Sequence, residues 1–495
     1  MQPPSFLEFQ QLAMQGNVIP VAMSMLADTL TPVSAFMKLC RNGEEGFLLE
    51  SVEGGEKLAR YSFLGRNPRE RYLFDGNRLC VYGQNQSEPL EEIEQDVFQF
   101  LKTQLSRYQF VPNPELPRFS GGLVGYFGYE IVRLIERLPD HRKPAENGVQ
   151  AAFGLYDTLL AFDHLRQQVL IITNVFLEDG VELRKSYNAA LERLEEIREL
   201  LQKPLELQPQ KSSTHAAVRS NFSRDAFCEA VRKAKEYIRA GDIFQVVLSQ
   251  KFSRPVSASP FNVYRALRLI NPSPYLYYLQ QGDHHIIGSS PELMVRVENR
   301  EVVVRPIAGT RPRGRTAEED ERLAADLLAD EKERAEHVML VDLGRNDVGR
   351  VAEFGEVRLS ENMVIEKYSH VMHIVSEIRG RLRPGLDAVD AFKACFPAGT
   401  VTGAPKVRAM EIIEELEPER RGVYAGALGY FDFSGNLDTC ITIRTVEIRN
   451  GTAVFQAGAG IVADSVPERE YAETIHKSNA IRSAIALAEG GLEDL

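Results

Sequence analysis

A change of hydrophobic period at Gly241 constrains this chain more than any other feature. Before it, Ser223 can cap a helix whose apolar residues Phe227, Ala230, Val231, Ala234 and Ile238 recur at helical spacing. Gly241 then stands where a left-handed residue ends such a helix. After it, residues 242–250 alternate with period two, so Ile243, Gln245, Val247 and Ser249 share one face and Phe244, Val246 and Leu248 the other. Gln245 therefore stands amid apolar neighbours. Further strands are expected at 275–279, 285–288, 293–298, 301–306, 426–433, 439–448 and 452–457, around three long helical segments. The earlier part of the chain reads similarly: β-rich runs at 46–51, 71–74 and 168–173 alternate with turns and with helices such as 90–108. The class is α+β, and no repeat of fixed period is present.

Residues 203–215, polar, broken by Pro204 and Pro209 and without period, make the best linker. The expected division is an N-terminal region at 1–202, a linker at 203–220 and a second region at 221–495. A length of 495 residues leaves room for two or three domains, and 44% hydrophobic with 26% charged residues is an ordinary globular composition. Lys+Arg 58 against Asp+Glu 70 gives a net charge of -12, which provides no basic footprint for nucleic acid or an anionic membrane. No apolar run reaches the length of a membrane span, and Met1-Gln-Pro-Pro-Ser5 lacks a basic and then apolar leader, so a cytoplasmic location is expected. The five cysteines form no C-x-x-C pair and read as reduced thiols.

Two carboxylate pairs carry the first chemical signal. In 316–343, Thr316-Ala-Glu-Glu319 can open a helix with a capping box, and Glu333 and Glu336 then share a face. Ser465-Val-Pro-Glu468 makes a similar start, followed by Glu470 and Glu473 at the same spacing. Four carboxylates facing one another repel unless a divalent cation lies between them, and hard oxygen ligands suit Mg²⁺. Solvated helix faces with i,i+4 ion pairs have the same spacing, so both readings stand.

The glycine-rich stretches exclude more than they assign. Gly458-Ala-Gly-Ile-Val-Ala463 matches G-x-G-x-x-A, but too few residues follow for a dinucleotide-binding unit. Gly399-Thr-Val-Thr-Gly-Ala-Pro-Lys406 is no Walker motif, because Pro405 precedes the lysine and Val407 follows it. Either stretch can turn backbone N–H groups, helped by Thr400, Thr402, Lys406 or Lys477, toward a carboxylate, or can be a plain tight turn. The basic run 305–315 can bind an acid, or be a solvated loop balanced by the acids at 318–321. His373 alternates with apolar residues on an expected strand, as a core histidine or a catalyst. Gly-x-Ser-x-Gly and His-Glu-x-x-His are absent, which argues against hydrolase chemistry run by this chain.

Taken together, Leu48-Leu-Glu-Ser51, Arg60-Tyr-Ser-Phe-Leu-Gly65, Asn271-Pro-Ser-Pro-Tyr-Leu276, Ser290-Pro-Glu292 and the segments 305–314, 333–347, 399–406 and 458–477 resemble the anthranilate synthase component I family of chorismate-utilising enzymes. The resemblance implies an α+β fold of two β-sheets packed face to face with helices outside, an N-terminal regulatory region interleaved with a chorismate-binding catalytic one. It implies amination of chorismate at C2 with loss of the C4 hydroxyl, then elimination of the enolpyruvyl group as pyruvate to leave anthranilate, the first committed step of tryptophan biosynthesis. Mg²⁺ is the implied cofactor, held by Glu336 and Glu473 with Glu333 and Glu470 supporting it largely through water. Glu292 is implied as the general acid, His373 in pyruvate elimination and Gln245 in orienting ammonia. Thr310, Thr400, Tyr424, Arg444, Gly458, Gly460 and Lys477 are implied to hold the substrate, with Arg444 suited to bidentate pairing.

Two positions narrow the branch. Isochorismate and salicylate synthases carry lysine where Gln245 stands, to activate water, and aminodeoxychorismate synthases carry a nucleophilic lysine where Ala308 stands. With neither lysine here, external ammonia is the consistent nucleophile. No cysteine lies in a Gly-x-Cys-x-Gly elbow, so the resemblance implies a separate glutamine amidotransferase small subunit, component II, and a heterotetramer. It also implies feedback inhibition by tryptophan at Glu50, Ser51, Lys57, Pro274, Tyr275 and Leu276. There Glu50 would pair the ligand's ammonium, Ser51 hydrogen-bond it, and Pro274 with Tyr275 flank the indole. The chain itself contains no Trp.

Overall fold

The structure, a computed structural model, describes all residues except 41–43, 52–59, 141–147, 179, 206–215, 369–370 and 493–495. Among the described residues the strands form two twelve-stranded sheets. The first runs Val18–Leu26, Gln168–Phe176, Thr158–Asp163, Tyr61–Arg66, Gly46–Glu50, Tyr275–Gln281, His284–Ser290, Thr445–Arg449, Thr452–Ile461, Gln245–Pro255 and Arg219–Ser220, with Gly403–Ala404 paired to Gln245–Pro255. In the second, Ile307–Pro312, Val371–Arg381, Glu301–Val304, Leu293–Glu298, Leu437–Ile441 and Ala427–Asp432 continue into Gly122–Phe127, Ala151–Tyr156, Glu70–Asp75, Arg78–Gly83 and Glu91–Glu94. Arg358–Lys367 joins that sheet on Val371–Arg381. Each sheet thus joins strands from before and after residues 203–220, through the pairs of Gly46–Glu50 with Tyr275–Gln281 and of Gly122–Phe127 with Ala427–Asp432. The N-terminal region is interleaved with the rest, as the resemblance implies.

The sheets face each other across one apolar layer. Phe47, Phe63, Tyr277 and Ile286 of the first meet Val124, Tyr156, Leu428 and Tyr430 of the second. Aromatic geometry fixes the layer: Phe47 meets Tyr156 edge-on at 4.7 Å, and Phe119 stacks on Tyr430 at 4.0 Å. Pro32–Leu39, Leu183–Gln202, Pro260–Ile270 and Pro467–Gly490 bury their apolar faces on the outside of the first sheet. Val97–Ser106, Glu331–Gly349 and Ala388–Cys395 cover the second.

Local signals set several elements as expected. Ser223 Oγ accepts from Ala226 N at 3.2 Å to start Arg224–Ala240, and Gly241 ends it at φ 84°. The strand after it begins three residues later than the alternation suggests, at Gln245, and runs on to Pro255. Other boundaries needed correction. The expected helix 90–108 is a short strand, Glu91–Glu94, followed by a helix that Asp96 caps, Val97–Ser106. The expected helix 316–343 is two, Ala317–Ala329 and Glu331–Gly349, because Asp330 leaves helical geometry and caps the second one. Ser465 does not cap the last helix; its hydroxyl accepts from Val462 N, and Pro467–Gly490 starts at Val466 with no side-chain cap. Arg219 and Ser220, assigned to the linker, pair with Ser253 and Phe252.

The correction that bears on function concerns 439–448, expected as one strand. It is two, Leu437–Ile441 in the second sheet and Thr445–Arg449 in the first, and the chain crosses between the sheets through 442–444. Likewise 458–461, read as a stretch presenting N–H groups or as a tight turn, continues the strand Thr452–Ile461 and pairs with Val246–Ser249.

Candidate active site and inter-sheet pocket

The crossing from one sheet to the other builds the centre of the site. Arg444 ends it with φ 53°, a left-handed backbone that costs an L-residue roughly 1–3 kcal/mol and is kept where the surroundings impose it. Its carbonyl accepts from Ser289 N at 3.2 Å, tying the crossing to the strand that leads to Glu292. The Arg444 guanidinium makes no hydrogen bond or ion pair among the described residues. Burial lowers its pKa, while Tyr424, Glu473 and Glu292 face it and act in the opposite sense.

Glu292 follows the strand His284–Ser290. Its carbonyl accepts from Ile441 N at 3.0 Å, and its own N–H donates to Ser290 Oγ at 3.3 Å. Burial pushes its carboxyl up to about 8, although Thr400 and Arg444 beside it favour the charged form. At neutral pH it is a protonated acid.

His373 lies on Val371–Arg381, opposite an irregularity between Ala308 and Arg311 where Gly309 takes φ 68°. The bulge aims the Gly309 carbonyl at the imidazole, whose Nδ1 lies 2.8 Å from it and 3.2 Å from Thr310 Oγ1. Nδ1 thus carries the proton and donates to that carbonyl, which leaves the Nε2 lone pair free. Burial lowers the His373 pKa, and Arg444 adds to that while the Gly309 carbonyl and Glu366 oppose it.

Two glycines permit close approach rather than a turn. A Cβ on Gly460 would come within 2.6 Å of Gln245 Nε2, and one on Gly458 within 2.7 Å of the Tyr424 hydroxyl. Gln245 donates to Glu336 Oε1 at 3.4 Å, and its own buried Oε1 has no partner among the described residues. Lys477 donates to the Gly458 carbonyl at 3.0 Å and pairs with Glu473 at 2.6 Å. Lys406 turns away from this cluster to Asp347 at 2.7 Å and the Cys395 carbonyl, and Thr402 bonds the Ala398 carbonyl, so neither helps to present N–H groups here.

The four carboxylates stand as two pairs. Burial and Glu336 both raise the Glu333 pKa, and burial and Glu473 raise that of Glu470 against Ser465, Lys332 and Lys477. The influence of Lys332 on Glu470 puts the first turns of Glu331–Gly349 and Pro467–Gly490 near each other. The donor chemistry fits a hard divalent cation, being oxygen-only with mutually repelling members. The shell is not gathered: among the described residues no three His, Cys, Asp or Glu side chains stand close enough to hold a metal. The basic run is neither a solvated loop nor open to bind an acid: among the described residues only its Arg313 side chain finds a partner within 318–321, and Arg305 and Arg311 are largely covered and paired elsewhere. Arg313 pairs with Asp320, Arg311 with Asp326 and Asp330, and Arg305 with Glu361, Glu366 and Glu377, and 307–312 is a strand.

A second pocket opens between the sheets, enclosing about 540 Å³ of space, part of it open to solvent. Glu50, Ser51, Pro274, Tyr275 and Leu276 all line it; Lys57 lies outside the described residues. The Glu50 carboxylate is engaged by the Tyr264 hydroxyl and by Arg268 at 3.0 Å, so a basic partner is already in place. Sequence reasoning missed Arg118, Arg296 and Asp438 in the same wall: Arg296 and Asp438 pair at 3.0 Å, Arg118 and Asp438 at 3.1 Å, and Tyr275 Oη bonds both Arg296 and Asp438. Only the strand register shows Arg296 and Asp438 to be cross-strand partners. Arg421 and Glu417, buried under the active site, were missed too, and no spacing signal marks them.

Comparison with known proteins agrees with this layout. Residues 47–483 match the family described as chorismate binding enzyme. Anthranilate synthase component 1 of Acetivibrio thermocellus is 50% identical, over 97% of this chain and 98% of its own length. That of Aquifex aeolicus is 46% identical over 99% of each. The crystal structure of anthranilate synthase component I from Streptococcus pneumoniae superposes with a TM-score of 0.74 at 39% identity, covering 92% of this chain and 98% of that one. The menaquinone-specific isochorismate synthase of Escherichia coli shares the fold at 18% identity, with a TM-score of 0.71 over 97% of this chain and all of its own. With full-length relatives at this identity and one continuous architecture, the chain belongs to the anthranilate synthase component 1 branch of the chorismate-binding enzymes.

Proposed function

We propose that the chain is the large subunit of an anthranilate synthase, turning chorismate and ammonia into anthranilate, pyruvate and water. The observation that carries this reading is the grouping of a protonated Glu292 with an unspent Arg444 and with Gln245 in place of a base. Arg444, with Tyr424, Thr400, Thr310, Lys477 and the N–H groups near Gly458 and Gly460, holds the two substrate carboxylates. Ammonia attacks C2, the ring double bonds shift, and the C4–O bond breaks. Glu292 gives its proton to the departing hydroxyl, which leaves as water. Gln245, its Oε1 unpartnered, accepts a hydrogen bond from the incoming ammonia without deprotonating it. In the second half, the C2 proton goes to a base, the C3–O bond breaks, and the enolpyruvate leaves to become pyruvate. His373, neutral and with Nε2 free, is that base. Glu336 and Glu473 would hold Mg²⁺, with Glu333 and Glu470 supporting it, and the ion would neutralise the ring carboxylate beside Arg444.

The rest of the assignment rests on the family resemblance, and the chain's thiols are consistent with it. Among the described residues all five cysteines are free of disulfides, and burial raises the thiol pKa of each, so none is an activated nucleophile for glutamine. A glutamine amidotransferase small subunit would supply ammonia, in a heterotetramer. The inter-sheet pocket is the proposed tryptophan site, and the reaction is placed in the cytoplasm. The test is incubation of the purified chain with chorismate, Mg²⁺ and an ammonium salt at alkaline pH, with products identified by mass spectrometry. Anthranilate and pyruvate in equal amounts support the reading. An unchanged chorismate pool, or glutamine use by the single chain, overturns it.

A further inference from the structure

Arg421 is one of the most deeply buried large side chains in the molecule, yet the chemistry above gives it no task. Its three nitrogens are all occupied within the protein. Nε and Nη2 donate to Glu417 at 3.0 and 2.7 Å, Nη1 donates to the Val401 carbonyl at 2.7 Å, and Nη2 also to the Val247 carbonyl at 2.8 Å. The guanidinium lies over Tyr129 at 4.8 Å and Tyr424 at 5.6 Å from the ring centroids. Glu417 continues the grip, accepting from Ser249 N at 2.8 Å and Ser249 Oγ at 2.7 Å. The backbone that carries Arg421 is itself held: Glu130 accepts from Arg421 N at 2.9 Å and from Gly422 N at 3.0 Å.

The two carbonyls that Arg421 holds and the Ser249 that Glu417 holds stand beside residues of the proposed substrate site. Val401 follows Thr400, and Val247 lies on the strand of Gln245 and opposite Gly460. Ser249 lies opposite Gly458, whose missing Cβ makes room for the Tyr424 hydroxyl. We propose that Arg421, fastened by Glu417 and Glu130, is a positioning residue. It locks the Thr400 turn, the Gln245–Ser249 stretch and the Tyr424 ring into one rigid floor for the substrate without touching it. The proposal rests on the chorismate reading above. A planar fork is needed, because one ammonium cannot reach two carbonyls and both oxygens of a carboxylate in these directions.

The test uses Arg421→Lys, assayed with ammonium salt as nitrogen donor and with its fold checked by circular dichroism. The expected result is a chorismate KM raised about tenfold, the equivalent of one well-placed hydrogen bond, with the KM for ammonia unchanged. A purely structural role would reduce the amount of active enzyme, hence apparent kcat, and leave the chorismate KM alone. Should Arg421→Lys not fold, Glu130→Gln loosens the same backbone and is expected to raise the chorismate KM about two- to threefold, in the same direction. A folded variant with wild-type chorismate KM overturns the positioning role. A wild-type chain that fails to consume chorismate overturns the underlying reading instead.

Discussion

The two pockets of this molecule differ in how their polar groups are satisfied. In the inter-sheet pocket, Arg118, Arg296, Asp438 and Tyr275 close on one another, and Glu50 is taken by Tyr264 and Arg268. In the cleft by the sheet crossing, among the described residues Arg444 has no hydrogen bond or ion pair and the Gln245 Oε1 has no partner, and Glu292 keeps its proton. Buried polar groups are ordinarily satisfied, so the first wall, in which the buried Ser51 hydroxyl lacks a partner among the described residues, is nearly complete without a ligand, whereas the second is completed by what it binds. A ligand of the first pocket is selected chiefly by shape; one of the second, by charge.

The contrast can be broken in four places. The largest effect is expected for Glu336→Gln or Glu473→Gln: turnover falls at least about a thousandfold while the circular dichroism spectrum is unchanged. Turnover that persists in excess EDTA would remove the cation from the account and leave the repelling carboxylates unexplained.

Next, Glu292→Gln is expected to slow amination by about a hundredfold or more, the usual worth of a positioned acid. Its stability profile is a second, independent readout. The Glu292 carboxyl is held at about 8 in the folded chain, well above its unfolded value. The wild type therefore keeps the contribution of that proton in full below about pH 4.5 and loses it as pH rises through about 8. The variant should lack this fall, so melting temperatures of the two proteins should converge or cross as the buffer is made alkaline. Parallel curves from neutral to alkaline pH would mean that Glu292 is ionised in the folded chain.

A smaller effect is expected for His373→Ala, which should slow pyruvate elimination about tenfold or more and leave amination nearly intact. An amino intermediate that still carries its enolpyruvyl group should then accumulate. Anthranilate as the sole chromatographic product at an unchanged rate would make His373 an ordinary core histidine.

The smallest effect concerns the inter-sheet pocket. Ser51→Phe is expected to weaken tryptophan binding about tenfold by filling space, with little change in ammonia-dependent turnover in the absence of tryptophan. Because the chain has no Trp, red-edge excitation reads the bound indole against little protein background. If tryptophan binds at this pocket and inhibits, chorismate must weaken its binding by the same factor. Unaltered binding by the variant would move the regulatory site elsewhere.

The sequence made some of this legible and hid the rest for physical reasons. Ser223, Gly241 and the alternation after them are local signals, and the structure keeps them. The break at Asp330 was hidden because its cap serves the second helix while the apolar spacing runs through both. The crossing at 442–444 was hidden because period two continues across it, although its residues end in different sheets. The resemblance selected Glu50, Ser51, Pro274, Tyr275 and Leu276, and they do line a single pocket. The Arg118–Asp438–Arg296 wall and the Arg421–Glu417 pair depend on strand register and burial, which no local pattern encodes. Gly458 and Gly460 left a turn among the open readings because glycine signals a turn and a close approach with the same letter.

The hydrogen bond from Tyr264 to Glu50 joins residues 214 positions apart, beside the strand pair that joins the two halves of the first sheet. During synthesis, at about 5–20 residues per second, the edge of Gly46–Glu50 must wait at least about ten seconds before its partner emerges. Until then that edge stays open, although the other edge can pair with Tyr61–Arg66, and an open edge beside an apolar face is the kind of surface that recruits other nascent chains. Folding of this protein is therefore set by chain completion rather than by assembly of its first half. Slow translation or a truncated message should release aggregation-prone fragments, not a folded N-terminal piece.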